Sequence, residues 1–171
     1  MTFGSINVFF TDIKVSNQFL FLIKQRLYDC QKQEFDSLLT SSNKCNTYQY
    51  MVQNFCLQFY LSKPIPDVYK KCITKLRLSS HNLAIECGRF SAISRNNRLC
   101  MFCKNDIEDE MHFVLKCPLY RGFRSYFIKP YYWKKPSMFK YVQLMSSCNV
   151  KELCNLGKFI FRALKLRSDM L

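Results

Sequence analysis

Glycine and proline are scarce in this chain, four and five among 171 residues. So few turn formers argue against a β-sandwich, which needs a turn signal every ~8–12 residues. Acidic residues are also in short supply. Twelve Asp and Glu face 26 Lys and Arg, leaving a formal charge of +14. An excess of this size goes beyond what solubility needs and points to a polyanion as partner, ahead of a merely solvated basic face. Long apolar runs are missing as well. The longest strongly apolar stretch, Phe19 to Ile23, falls far short of the ~20 residues that cross a bilayer. The opening residues MTFGSINVFF have no basic residue ahead of their apolar patch and no small-residue cleavage site, so no export signal is expected. Catalytic signatures are absent too. There is no glycine-rich phosphate loop and no Gly-x-Ser-x-Gly turn, and two histidines leave little for general base chemistry. No enzyme activity, small-molecule substrate or membrane partner is expected.

What the chain does have is apolar surface and sulfur. Hydrophobic residues make up 49% and aromatics 16%, enough to bury a core in one domain or one domain with appended pieces. Ten cysteines without an export signal fit the cytoplasm or nucleus, where thiols stay reduced and clustered cysteines usually mean metal.

Periodicity favours helices, so the expected fold is mostly α: a small helical domain with an irregular zinc-binding knuckle. From Phe19 to Leu38 the apolar positions Leu20, Ile23, Leu27, Cys30 and Leu38 recur at helical steps. A second helix is predicted from Tyr48 to Tyr60, ended by Lys63-Pro64-Ile65-Pro66. Pro66 can open a third, reaching Lys75 or Leu76. Gly88 reads as a turn or cap, and a helix is expected to begin near Asp106, with Asp106, Glu108, Asp109 and Glu110 crowding its start. Pro136-Ser137 predicts a short helix to Met145. The last helix is predicted over Val150 to Arg167, with Leu153, Leu156, Ile160 and Leu164 on one side. A helical segment 1–62 and a basic, zinc-binding module 63–171 are the expected divisions, packed as one unit.

One constellation carries chemistry. CMFCKNDIEDEMHFVLKC places Cys100, Cys103, His112 and Cys117 in a C-x2-C-x8-H-x4-C pattern. Two cysteines with two residues between them form a tight turn whose sulfurs converge, and a His and a Cys complete a tetrahedron around one zinc ion. Four protein donors make the site closed, hence structural. Arg98, Lys104 and Lys116 flank it and would favour thiolates. His112 and Cys117 are five apart, so on an ideal α-helix they point about 140° from each other. Both reach one ion only if the helix loosens before Cys117, and Pro118 supplies the cause, because the residue before a proline is pushed out of the helical region. The alternative is four ordinary thiol and imidazole side chains. The other cysteines (30, 45, 56, 72, 87, 148, 154) read mostly as packing, and His81 as a capping or hydrogen-bonded residue.

A second constellation runs from Lys116 to Lys140. Lys116, Arg121, Arg124, Lys129, Lys134, Lys135 and Lys140 carry seven positive charges with no acid among them. Cations interleaved with Tyr131, Tyr132 and Trp133 suit single-stranded nucleic acid, phosphates meeting charge and bases meeting rings. Phe123 and Phe127, four apart, read as core. A smaller cluster, Lys70, Lys71, Lys75 and Arg77, is either a phosphate-contact face or a solvated one.

The run from Thr74 to Arg124, with IECGR, the Cys and His ligands, EDE-x-HF and CP-x-Y, resembles the C-terminal zinc-binding region of non-LTR (LINE-type) retrotransposon reverse transcriptases. The likeness continues through FIKPYYWKKPSMFKYVQLM and LCNLGKFIFRAL, and weakly upstream to Lys24-Gln25-Arg26. The resemblance implies a tail that helps hold RNA or target DNA, with the four zinc ligands and the basic residues around them as matching positions. It implies no polymerase, because the Tyr-x-Asp-Asp turn of that family is absent. The gap of eight between Cys103 and His112 is longer than that of retroviral nucleocapsid knuckles, so their grip on nucleic acid does not carry over. The expected function is a non-catalytic, zinc-stabilised module binding RNA or single-stranded DNA. The alternatives are a structural or protein-interaction zinc domain, or a degenerate fragment of a retroelement.

Overall fold

Helix-forming periodicity and side-chain caps decide most of the elements. The computed structural model describes residues 16–42, 44, 47–52 and 54–171. Contacts divide the chain into two units, Met1–Leu38 and Leu39–Leu171, a division earlier than the 62/63 boundary suggested by the prolines.

The first unit holds most of helix α1, Asn17–Ser41. It begins where the Ser16 hydroxyl accepts the Phe19 amide at 3.2 Å, an N-cap that satisfies one free donor. None of its residues is buried.

In the second unit, Tyr48 to Tyr60 departs from the expected helix. Its described residues include two 3-10 turns, Tyr48–Tyr50 and Phe59–Leu61. The stretch is rich in aromatic, Val, Asn and Cys residues, weak helix formers, and tertiary bonds claim its side chains. The Tyr60 hydroxyl lies 2.9 Å from Thr74 Oγ1, and Gln58 Oε1 accepts from Arg77 Nη2 at 2.7 Å. Helix α2, Asp67–Arg77, follows Pro66 with an acid in its first turn and Lys75 and Arg77 in its last, charges that complement the helix dipole. Gly88 is neither a turn nor a cap. It lies buried inside α3, Ala84–Phe90, because the Arg98 side chain crosses it: a Cβ there would stand 2.7 Å from Arg98 Cγ.

Short helices α4 (Arg121–Phe127) and α5 (Pro130–Trp133) precede α6 (Met138–Met145), which Ser137 caps by accepting from the Lys140 amide. Helix α7, Val150–Asp169, is capped by Asn149 and buries Leu153, Leu156, Ile160 and Ala163 along one side. This is the predicted stripe, with Leu164 at its margin. Helices α2 and α4 pack on α7. The α2 crossing is close, since a Cβ on Gly157 would meet Tyr69 Cβ at 2.4 Å.

Phe113, Tyr120 and Phe159 fill the space beneath α7. The Phe113 and Tyr120 rings meet edge to face at 4.8 Å, and Phe113 and Phe159 at 6.1 Å. Each such side chain contributes about 1.5–3 kcal/mol by leaving water. The fold is mostly α, with no strand among the described residues and one isolated bridge, Leu99 to Ile107. No helix among these residues is long and apolar enough to cross a membrane.

Candidate metal centre

That isolated bridge builds the first half of the site. The Cys100 amide donates to Asp106 O at 2.9 Å and the Glu108 amide to Arg98 O at 3.0 Å, forming a miniature hairpin. Cys100 and Cys103 sit at its bend, closed by the Lys104 amide on Cys100 O at 2.8 Å. Lys104 adopts φ 56°, a left-handed conformation that favours glycine and costs a lysine about 1 kcal/mol.

A single turn of π-helix, His112–Lys116, builds the second half. The Cys117 amide donates to His112 O at 2.8 Å, a bond spanning five residues. This wider turn brings residue i+5 back toward the side of residue i, which an α-helix does not. Cys117 then leaves the helical region, φ −51° and ψ 124°, ahead of Pro118. The expected loosening before Cys117 is therefore present, in the form of a π-turn.

These two pieces converge. The four candidate donor atoms of Cys100, Cys103, His112 and Cys117 all lie within 4.8 Å of one another and can hold a metal ion. Cys100 Sγ is 3.8 Å from Cys117 Sγ, and Cys103 Sγ is 3.4 Å from His112 Nε2. Cys100, His112 and Cys117 are buried. Burial pushes the Cys117 thiol up to about 12, with Cys100 and Cys103 adding to the rise, and raises Cys100 too. Burial also lowers the His112 pKa, which favours the neutral imidazole that metals bind. An apolar pocket without a cation thus keeps these thiols protonated, and a bound cation would have to displace their protons.

Charged side chains hold this pocket from outside. Asp106 Oδ2 stands 3.6 Å from His112 Nδ1, the nitrogen turned away from Cys103, and 3.7 Å from Lys116 Nζ. Asp109 Oδ1 accepts the His112 amide at 2.7 Å. The buried Glu108 reaches Cys100 Sγ at 3.9 Å, accepts the Ala84 amide at 2.7 Å and pairs with Arg167 at 2.8 Å. Arg124, also buried, donates to Val114 O and Cys117 O, each at 2.7 Å.

Several expectations need correction here. The helix begins at Glu110, not near Asp106, because Ile107 is held in the bridge. Of the four acids only Asp109 caps it. Glu110 instead accepts from Ser79 at 2.6 Å and faces His81 Nε2 at 3.0 Å. Burial raises the Glu110 pKa, but the bonds from His81 and Ser79 outweigh it and hold the group below its ordinary value. His81 is hydrogen-bonded, as expected. The Arg98 guanidinium donates to Ile85 O and Ile93 O, each at 2.9 Å. Cys30, Cys56, Cys87 and Cys148 are exposed, so packing does not explain them, whereas the half-buried Cys72 packs against the core as expected; Cys154 is half-buried. Cys45 lies outside the described residues.

The basic aromatic stretch divides in a similar way. Arg121, Lys134, Lys135 and Tyr131 are exposed. Lys129 pairs with Glu152 at 3.0 Å. Tyr132 is buried with its hydroxyl on Glu152, and Trp133 donates to Ile128 O at 3.0 Å. Arg124 and Tyr132 thus face inward, and so does Arg77 of the upstream cluster, which donates to Met145 O at 2.8 Å. Phe123 and Phe127 pack against the core as expected.

Sequence reasoning missed Glu108, Arg124 and Arg167. Arg167 offered a signal: it lies seven residues after Ile160 on the buried stripe of α7, where a charge needs a partner.

No protein-family model, curated protein or solved structure matches the chain.

Proposed function

We propose that Cys100, Cys103, His112 and Cys117 hold one structural zinc ion, and that the module so fastened binds nucleic acid without catalysing a reaction. The observation that carries the metal assignment is the donor spacing. A tetrahedron with zinc–sulfur bonds of ~2.3 Å has edges of about 3.8 Å between sulfurs and about 3.6 Å between sulfur and imidazole nitrogen. The Cys100–Cys117 and Cys103–His112 separations, 3.8 and 3.4 Å, fit those edges. Three thiolates and an imidazole around a divalent ion leave a local charge of about −1 in a closed shell, with no open position for substrate. Clustered thiols that bind a metal suit the cytoplasm or nucleus, where thiols stay reduced.

The charge of +14, with Arg121, Lys134 and Lys135 exposed, supports RNA or single-stranded DNA as partner. In this reading the chain is the tail region of a retroelement reverse transcriptase. Contact with ~4–6 phosphates of a single strand predicts that log affinity falls against log salt with a slope of roughly −3 to −4. Fluorescence anisotropy with single-stranded RNA across a salt series measures it, and absence of binding at low salt refutes the reading.

A groove of about 640 Å³ favours a second reading. Tyr50, Leu57, Phe59 and Phe139 line it together with the Arg77 side chain, as a protein-interaction domain would offer. That reading predicts partner binding that survives high salt.

A further inference from the structure

The cations of α7 are arranged differently from those between Lys116 and Lys140. Lys151, Lys158, Arg162 and Lys165 follow one another at steps of seven, four and three. At ~100° per residue they fall within about 60° of one another, directly opposite the buried row of Leu153, Leu156 and Ile160. With a rise of ~1.5 Å per residue the stripe is about 21 Å long. The acids of α7 are Glu152, tied to Lys129 and Ser147, and Asp169 at its end. Among the described residues, no carboxylate pairs with any of the four cations. Lys116 and Lys129, by contrast, meet Asp106 and Glu152.

Both flanks extend this stripe. Helix α2 packs beside α7, with Tyr69 against Phe161 at 6.3 Å. Its exposed side carries Lys71 and Lys75, and Lys75 shares a groove of about 430 Å³ with Leu164 of α7. On the other flank Arg162 lies over the Phe127 ring of α4, 5.1 Å from its centre. Phe161 is 42% exposed and Tyr126 of α4 79%, so rings stand beside the cations where bases of an unpaired strand can stack.

We propose that this face of α2, α7 and α4 is the track on which single-stranded nucleic acid lies. The proposal rests on the nucleic-acid reading above and adds its location. Unpaired cations in a row neutralise successive phosphates, and at ~3.4 Å per stacked nucleotide a 21 Å stripe accommodates about six. The phosphate chain follows α7, and the flanking rings receive bases without selecting their sequence.

The test uses the zinc-loaded full chain and a fluorescent mixed-sequence 20-nucleotide RNA, titrated by anisotropy at several salt concentrations. A variant combining Lys158→Gln, Arg162→Gln and Lys165→Gln is expected to bind at least ~10-fold more weakly, with a salt slope shallower by about 2, ~0.7 for each lost phosphate contact. Lys134→Gln with Lys135→Gln is expected to weaken binding less than the triple variant does, and Arg95→Gln, at an exposed position outside the stripe, to change affinity less than threefold. Circular dichroism checks folding; should the triple variant not fold, Arg162→Gln and Lys165→Gln, both at exposed positions, are made singly and each must weaken binding. A folded triple variant within twofold of wild type overturns the track, while the nucleic-acid reading survives if the Lys134 and Lys135 pair carries the loss. Failure of the wild-type chain to bind RNA overturns both. Binding to phosphatidylserine vesicles that RNA cannot displace assigns the face to a membrane and overturns the track.

Discussion

Arg124 sets the bend at Cys117 by donating to the carbonyls on both sides of it, Val114 and Cys117, at 2.7 Å each. Burial lowers its pKa to about 10, with the Cys117 thiol opposing the shift, so the guanidinium stays charged at neutral pH. Hydrogen bonds from a charged group are worth roughly 1.5–3 kcal/mol each, and losing them leaves buried carbonyls unpaired. Arg124→Met is expected to lower stability by about 2–4 kcal/mol in urea unfolding. Zinc affinity by chelator competition is expected to fall ~10–100-fold, as for other groups that position ligands; an affinity within twofold of wild type counts against this role. Glu152 supports a different prediction. Burial raises its pKa, but Ser147, Lys129 and Tyr132 outweigh burial and hold it below its ordinary value. A depressed folded pKa means that its stabilisation is complete above the unfolded value of ~4.3 and lost as pH falls through the folded one. Thermal melts should therefore separate wild type from Glu152→Gln by about 1–2 kcal/mol at pH 7, with the gap closing near pH 3. A gap that persists unchanged at pH 3 contradicts this. Arg124 was not legible as a buried group, because a cation among aromatics reads as surface; only three-dimensional placement shows which carbonyls it meets.

Between the residue and the molecule stands the helix, and here the sequence was most informative where local signals agreed. Helices α1, α6 and α7 each pair a Ser or Asn cap with an apolar repeat, and α2 starts one residue after Pro66. Tyr48 to Tyr60 lacked such agreement, and Arg77 and Thr74 decided its path instead. The π-turn was legible in outline: the five-residue step from His112 to Cys117 demanded a departure from α geometry, and Pro118 marked where. Its hydrogen bond across five residues was not, since many loosened ends satisfy the same demand. Two glycines give the sharpest check on helix packing. At Gly157 a methyl group would meet Tyr69 Cβ at 2.4 Å, while at Gly122 nothing lies within 4 Å. Gly157→Ala should cost about 1–3 kcal/mol by forcing α2 from α7, despite the better helix propensity of alanine. Gly122→Ala should gain about 0.5 kcal/mol. Equal effects of the two in denaturant melts would mean that α2 does not approach α7 as closely as described.

For the molecule as a whole, the candidate metal centre joins parts far apart in sequence. Glu108 beside Cys100 holds Arg167 near the end of α7 and the Ala84 amide at the start of α3, while Arg124 ties α4 to the turn carrying His112 and Cys117. Zinc binding in such a site can supply on the order of 10 kcal/mol, comparable with the whole stability of a small domain. The four donors were legible because their spacing has few uses other than a metal. The basic surface was only half legible: the charge excess was plain, but burial and ion pairing removed Arg77, Arg124 and Lys129 from it. The most direct measurement is the zinc content of purified protein, with circular dichroism and melting before and after chelation. The account predicts one zinc per chain, retained in Cys30→Ser and Cys148→Ser and lost in Cys103→Ser and Cys117→Ser, with chelation causing a large fall in melting temperature. Protein that is free of metal yet keeps its helical signal and its melting point would contradict it.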